Sequence, residues 1–279
     1  SVFLALRVIK LPWLVAGIGA ILASHLSTDG LYGLDPPSFL WRGYGLSSQL
    51  FGMVWMPMAI AYAWRFFATN PKHQTLNPKQ YQNTNVQNPK LFQSFGFEIW
   101  NLFRIWNLEF RIFPAFWPAV LFLTATAMGH LGLGIMAMLS LVPLAFARPV
   151  MMILESQRIS DIYEVTKNQL TKLFLLSAVV IFFLSYWIVP IFLADNYHNI
   201  SFWDPPWKFA SYGARETITR LFNGDLFDWG RGPWMTGLVI VGLIGAAWTN
   251  FPFALLFIFW LLMYFGRGTW GPLIDLIPG

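Results

Sequence analysis

FWPAVLFLTATAMGHLGLGIMAMLSLVPLAFA, residues 116–147, is the stretch on which the fold turns. A helix that crosses a bilayer takes roughly 20 mainly apolar residues, with about 17–25 as the usual range. This run is too long for one ordinary span and too short for two full ones, and Gly129-His130, Gly132 and Gly134 interrupt it. The flanking charges decide between one crossing and two. From Arg65 to Pro114 there are six bases (Arg65, Lys72, Lys79, Lys90, Arg104, Arg111) against two acids (Glu98, Glu109). From Arg148 to Lys172 there are four bases (Arg148, Arg158, Lys167, Lys172) against three acids (Glu155, Asp161, Glu164). Excess Lys and Arg marks the cytoplasmic loops of a membrane protein. Both flanks therefore belong inside, and they share a side only if the run crosses twice, as a short hairpin turning near His130. A single tilted helix with both ends charged is the alternative.

Further candidate spans are Leu11–Leu26, Gln49–Phe67 and Leu173–Ala194, with shorter ones at Trp234–Trp248 and Phe251–Phe265 on either side of a break at Asn250 and Pro252. Seven crossings result. Arg7 and Lys10 fall inside, and the acidic-to-neutral loops His25–Ser48 and Asp195–Pro233 fall together outside. The expected fold is all-α, a polytopic transmembrane helix bundle of about seven crossings forming one domain over residues 1–279.

Composition points the same way. The chain is 56% hydrophobic and 11% charged, against about 25% charged in soluble domains. Its 15 Trp suit rings that sit at the lipid headgroups. The absence of cysteine excludes disulfides, thiolate chemistry and thiol-ligated metals. The net charge of +5 is scattered between apolar segments, which argues against a nucleic-acid partner. The chain starts at an apolar Ser1-Val-Phe without a signal-peptide pattern, so an internal fragment of a longer protein is the expectation.

Two inside segments differ in character. Residues 68–94, rich in Asn, Gln, Lys and Pro, read as a polar cytoplasmic linker. In 95–113, Glu98, Asn101, Arg104 and Arg111 recur at helical spacing among Trp100, Phe103, Trp106 and Phe110. That is the pattern of an amphipathic helix lying in the membrane interface, or of a helix packed on the bundle.

Residues with chemical potential cluster on the outer side: His25, His130 and His198, with Asp29, Asp35, Asp195, Asp204, Asp225, Asp228 and Asp275. The plainer account is that loops are where polar residues cost least. His130 stands in the middle of an apolar run, where a polar side chain points to function, unless the hairpin brings it to the interface. The outer loop 195–233 carries Lys208, Arg215 and Arg220, which suit a phosphate at the membrane surface. They suit structural pairs with Glu216 and Asp225 equally well. Asp204-Pro-Pro reads as a helix N-cap, and Asn199-Ile-Ser201 matches a glycosylation sequon. No Gly-x-Ser-x-Gly, phosphate-binding loop or His-Glu-x-x-His occurs. No paired carboxylates lie within the spans, which argues against a proton-coupled transporter.

Four stretches carry a resemblance to the GT-C glycosyltransferase superfamily, in particular its YfhO-like bacterial and archaeal branch. They are Tyr44-Gly-Leu-Ser-Ser-Gln-Leu-Phe51, Gly129-His130-Leu131, Ser211-Tyr-Gly with Leu221-Phe-Asn-Gly-Asp-Leu-Phe-Asp-Trp-Gly-Arg-Gly-Pro233, and Phe265-Gly-Arg-Gly-Thr-Trp-Gly-Pro-Leu-Ile-Asp-Leu-Ile-Pro278. The resemblance implies transfer of a sugar from a polyprenyl-phosphate carrier on the outer face of a prokaryotic cytoplasmic membrane. The family's usual catalytic acid lies in the first outer loop, which would fall upstream of Ser1; Asp29 or Asp35 would substitute if Ser1 is near the true start. On this expectation Arg215, Arg231 and Arg267 bind the donor phosphate, and His130 and Asp228 contact donor or acceptor. No cofactor is required, with a divalent metal ion left open. A second expectation, of another class, is a non-catalytic subunit of a larger membrane complex that offers aromatic surface to lipids, pigments or partner helices.

Overall fold

The computed structural model describes residues 1–25, 47–69, 114–193, 211–228 and 232–276. Among them are ten helices and no strand: α1 (Val2–Val8), α2 (Trp13–His25), α3 (Ser47–Ala68), α4 (Phe116–Gly129), α5 (Leu131–Leu154), α6 (Ile159–Leu193), α7 (Ala214–Asn223), α8 (Trp234–Thr249), α9 (Phe251–Tyr264) and α10 (Arg267–Ile274). Most of the linker expected at 68–94 and all of the interfacial helix expected at 95–113 lie outside the described residues.

Within a hydrocarbon layer a chain must satisfy its own backbone, and apolar runs therefore become helices. Among the described residues three helices are long and apolar enough to cross a membrane: α3 over Gln49–Ala68, α5, and α6 over Ile159–Pro190. The α9–α10 pair, bent by 86°, makes a fourth if it counts as one span, and α2, α4 and α8 supply shorter apolar helices. By length and composition the protein is an integral membrane protein.

The decisive stretch is two helices. They break at His130, whose backbone is extended (φ −158°, ψ 119°). Near the start of α3, a Cβ added to Gly129 would stand 2.7 Å from the Gly52 nitrogen, so two backbones touch where only glycines fit. Near the end of α3, the rings of Phe66 and Phe116 meet with centroids 5.3 Å apart. α4 thus runs antiparallel to α3. α5 turns back, with Leu133 beside Gly52 at one end and Leu144 and Ala147 sharing a cavity wall with Trp64 and Phe67 at the other. The two-helix turn read from the charges is therefore present at His130, and α5 continues past Ala147 to Leu154.

The described start of the first basic segment, Arg65–Thr69, meets the second, Arg148–Lys172, at one end of the bundle. Lys172 Nζ donates to the carbonyls of Phe66 (3.3 Å), Phe67 (3.3 Å) and Thr69, and Gln169 Nε2 donates to the Phe67 carbonyl at 3.1 Å. The last carbonyls of a helix lack intrahelical partners, and an ammonium suits the negative end of the helix dipole. Residues three apart on α6 face the same way, so Gln169 and Lys172 together cap α3. This docking also accounts for a difference from the sequence reading. α6 starts at Ile159 rather than Leu173, because residues 159–172 contain neither Gly nor Pro and one face of them has α3 to bind. At 35 residues α6 is about 52 Å long, roughly 20 Å more than the hydrocarbon layer.

The core lies among α3, α4, α5 and α6. Small residues (Ala59, Ala63, Ala119, Ala127, Ala137, Ala145) let the helices approach closely, and Phe66, Leu123, Leu141, Leu176 and Val180 fill the remaining space. α9 joins from the side. The rings of Phe253 and Trp64 are 5.7 Å apart near the basic end, and Trp260 Nε1 donates to Ser140 Oγ at 2.9 Å. α9 consequently starts at the basic end, after a break at Asn250 and with Pro252 in its first turn, and finishes at the opposite end.

Candidate functional site

At that opposite end the chain bends sharply between α9 and α10, and the segment before α7 crosses the bend. Ser211 Oγ donates to the Tyr264 carbonyl, and the Ala214 amide donates to Thr269 Oγ1 at 2.6 Å. Gly213 adopts φ +84°, a conformation costly for other residues, and its backbone lies against Gly268. A Cβ on Gly268 would sit 2.9 Å from the Gly213 nitrogen. The contact brings the first turns of α7 and α10 together, and with them Arg215 and Arg267.

The charges around this junction are exposed. Arg215 is exposed and makes no ion pair among the described residues. Arg267 Nη2 reaches Asp275 Oδ1 at 2.7 Å, with both side chains more than half exposed. Arg220 bonds Glu216 one turn back at 2.8 Å, and its guanidinium lies 4.5 Å over the Tyr212 ring. The bond to Glu216 holds the Arg220 guanidinium more firmly protonated than usual.

α7 ends in a Schellman turn. Gly224 adopts φ +79°, its amide donates to the Leu221 carbonyl, and the Asp225 amide donates to the Arg220 carbonyl at 2.8 Å. The turn delivers Asp228, 8% exposed, to the N-terminus of α8. There Asp228 accepts from the amides of Met235 (2.8 Å) and Thr236 (3.3 Å), and Thr236 Oγ1 bonds the Leu221 carbonyl at 2.9 Å. Asp228 is thus a helix cap, with its charge at the positive end of α8.

His130 also caps a helix. Its Nδ1 accepts from the Leu133 amide at 3.3 Å at the start of α5. His130 lies at the same end of the bundle as the α7–α10 junction, but no hydrogen bond or ion pair joins it to that junction among the described residues. Of the residues singled out from sequence, the structure brings Arg215 and Arg267 to one junction and places Asp228 and His130 at separate helix starts. Asp29, Asp35 and Arg231 lie outside the described residues, as do Asp204, Lys208 and the sequon at 199–201. Among the described residues no group of three or more His, Asp or Glu is arranged to hold a metal ion.

Two features escaped the sequence reading. The helix α7 is only ten residues long and lies inside the outer loop expected at 195–233, although its Glu216–Arg220 spacing is helical. The Gln169–Lys172 cap of α3 looked like loop charge, since its partners are backbone carbonyls about 100 residues away. No protein-family model matches the chain, and no curated protein or solved structure matches it either.

Proposed function

We propose that the chain is a membrane glycosyltransferase-like protein that moves a sugar from a polyprenyl-phosphate carrier on the outer face of a prokaryotic cytoplasmic membrane. In this reading the three long helices, the bent α9–α10 pair and the short apolar helices α2, α4 and α8 make seven crossings, with the basic end inside. The observation that carries it is the Gly213–Gly268 contact, which sets two arginine-bearing helix starts side by side at the end away from Arg65, Arg148 and Lys172. Arg215 has no ion-pair partner among the described residues, and an exposed pair such as Arg267–Asp275 is worth little and exchanges readily for a phosphate. With Arg231 these guanidiniums would hold the donor phosphate by charge-assisted hydrogen bonds. His130 would contact donor or acceptor, and the general base would come from Asp29, Asp35 or upstream sequence. The test is turnover of a polyprenyl-phosphate sugar by the full-length protein in proteoliposomes. Arg215→Ala combined with Arg231→Ala should lower it about 100-fold or more, two charge-assisted contacts being lost. Unchanged turnover removes the assignment.

The second reading, a non-catalytic subunit that binds lipids, pigments or partner helices, is favoured by exposed apolar faces. Trp248 is 87% exposed and α8 buries only Thr236 fully. Co-purification in fixed stoichiometry with other membrane subunits, with full activity of that complex after His130→Ala and Arg215→Ala, would select it.

A further inference from the structure

A second site lies at the basic end, away from the α7–α10 junction and independent of the reading given to it. A cavity of about 410 Å³ opens there between the ends of α3 and α5, the flank of α6 and the start of α9. Its volume is in the range of small-molecule sites. Trp64, Met151, Phe251 and Pro252 give it mainly apolar walls, and its polar lining comes from Arg148 and Gln169.

Gln169 is 3% exposed, and its amide is oriented by one bond: Nε2 donates to the Phe67 carbonyl, which can only accept. Oε1 is left buried without a hydrogen-bond partner among the described residues. Oε1 is out of reach of the cavity, so Gln169 serves there as wall. Arg148 adds a charge requirement. It is exposed, has no ion pair among the described residues, and stands near enough to Lys172 for the two cations to repel. Lys172 already serves the carbonyls that end α3. An occupant here therefore has an apolar body and one anionic group for Arg148. Basic clefts between transmembrane helices at the cytoplasmic surface suit anionic lipid headgroups.

We propose that this cleft binds an anionic glycerophospholipid, with an acyl chain along the Trp64, Met151 and Phe251 wall and the phosphate on Arg148. The protein is solubilised in a neutral detergent, mixed with phosphatidylglycerol or phosphatidylcholine of matched chains, and read by native mass spectrometry. The wild type should retain one phosphatidylglycerol in preference to phosphatidylcholine by about tenfold, the effect of one charge-assisted contact. Arg148→Gln should remove the preference, because Arg148 is exposed and makes no hydrogen bond or ion pair among the described residues that folding would miss. Met151→Trp, which fills the cavity from its apolar side, should abolish retention of both lipids. Millimolar inorganic phosphate should not displace the lipid, and displacement by phosphate alone would show a simple anion site. Equal retention of the two lipids, retention unchanged in both variants, or no bound lipid would each overturn the proposal.

Discussion

Asp228 separates structure from catalysis in one experiment. Its carboxylate, 8% exposed, accepts from the Met235 and Thr236 amides at the start of α8. Losing an N-cap costs about 1 kcal/mol and up to about 2. Removing a negative charge from the positive end of a helix costs about 0.3–1 kcal/mol more. Asp228→Ala should therefore destabilise the protein by about 2 kcal/mol, which at roughly 2–4 °C per kcal/mol lowers the melting temperature by about 4–8 °C. Asp228→Asn keeps one oxygen where the carboxylate uses two, Oδ1 for the Met235 amide and Oδ2 for the Thr236 amide, so it loses one cap bond as well as the charge. Its melting temperature should fall below that of wild type and no lower than that of Ala. Thermal unfolding in detergent, followed by intrinsic fluorescence, measures both. If Ala is as stable as wild type, the capping account is wrong. If Asn instead abolishes transfer of a lipid-linked sugar at an unchanged melting temperature, Asp228 acts chemically and the cap is incidental.

Three further outcomes follow from the packing. Gly129→Ala drives a methyl against the Gly52 backbone and the Phe51 ring, so it should cost about 1–3 kcal/mol, seen as a lower melting temperature, whereas a null effect would mean α3 and α4 separate easily. Lys172→Met removes the ammonium from the Phe66, Phe67 and Thr69 carbonyls, leaving only the Gln169 bond to Phe67, and should destabilise by about 2–3 kcal/mol, with faster proteolysis after Thr69; Lys172→Arg should recover much of the loss. Trp260→Phe removes the bond to Ser140 and should cost about 1 kcal/mol, measurable by the same melt.

The long apolar helices were legible because their signal is local. Trp234–Trp248 was read and Trp234–Thr249 is formed, and the edges of α3 differ by two residues at most from Gln49–Phe67. Pro233, Asn250 and the polar flanks punctuate those runs in the sequence itself. The break at His130 was legible for another reason, since charge on both sides of one run demanded it. α1 and α10, of seven and eight residues, are too short to carry a period. The α6 extension was hidden because Gln169 and Lys172 look like solvent-facing polar residues until α3 lies beside them. The site was less legible than the fold. Arg215 and Arg267 are 52 positions apart, and what joins them is a pair of glycines, Gly213 and Gly268, that the sequence marks only as punctuation. Asp228 looked available for chemistry because its donors belong to a helix that begins six residues later.

The break at His130 and the one at Asn250 leave α4 and α8 with 14 and 16 residues, about 21 and 24 Å of helix against a hydrocarbon layer of about 30 Å. α5 and α6 carry no such deficit. In the seven-crossing topology proposed above, the bundle presents the lipid with flanks of unequal hydrophobic thickness, and the bilayer beside α4 and α8 pinches inward by several ångströms at a cost of fractions of a kcal/mol per Å. In shorter-chain lipids that deformation vanishes, so bilayer thickness becomes a control on where this protein is stable, separate from any headgroup it recognises.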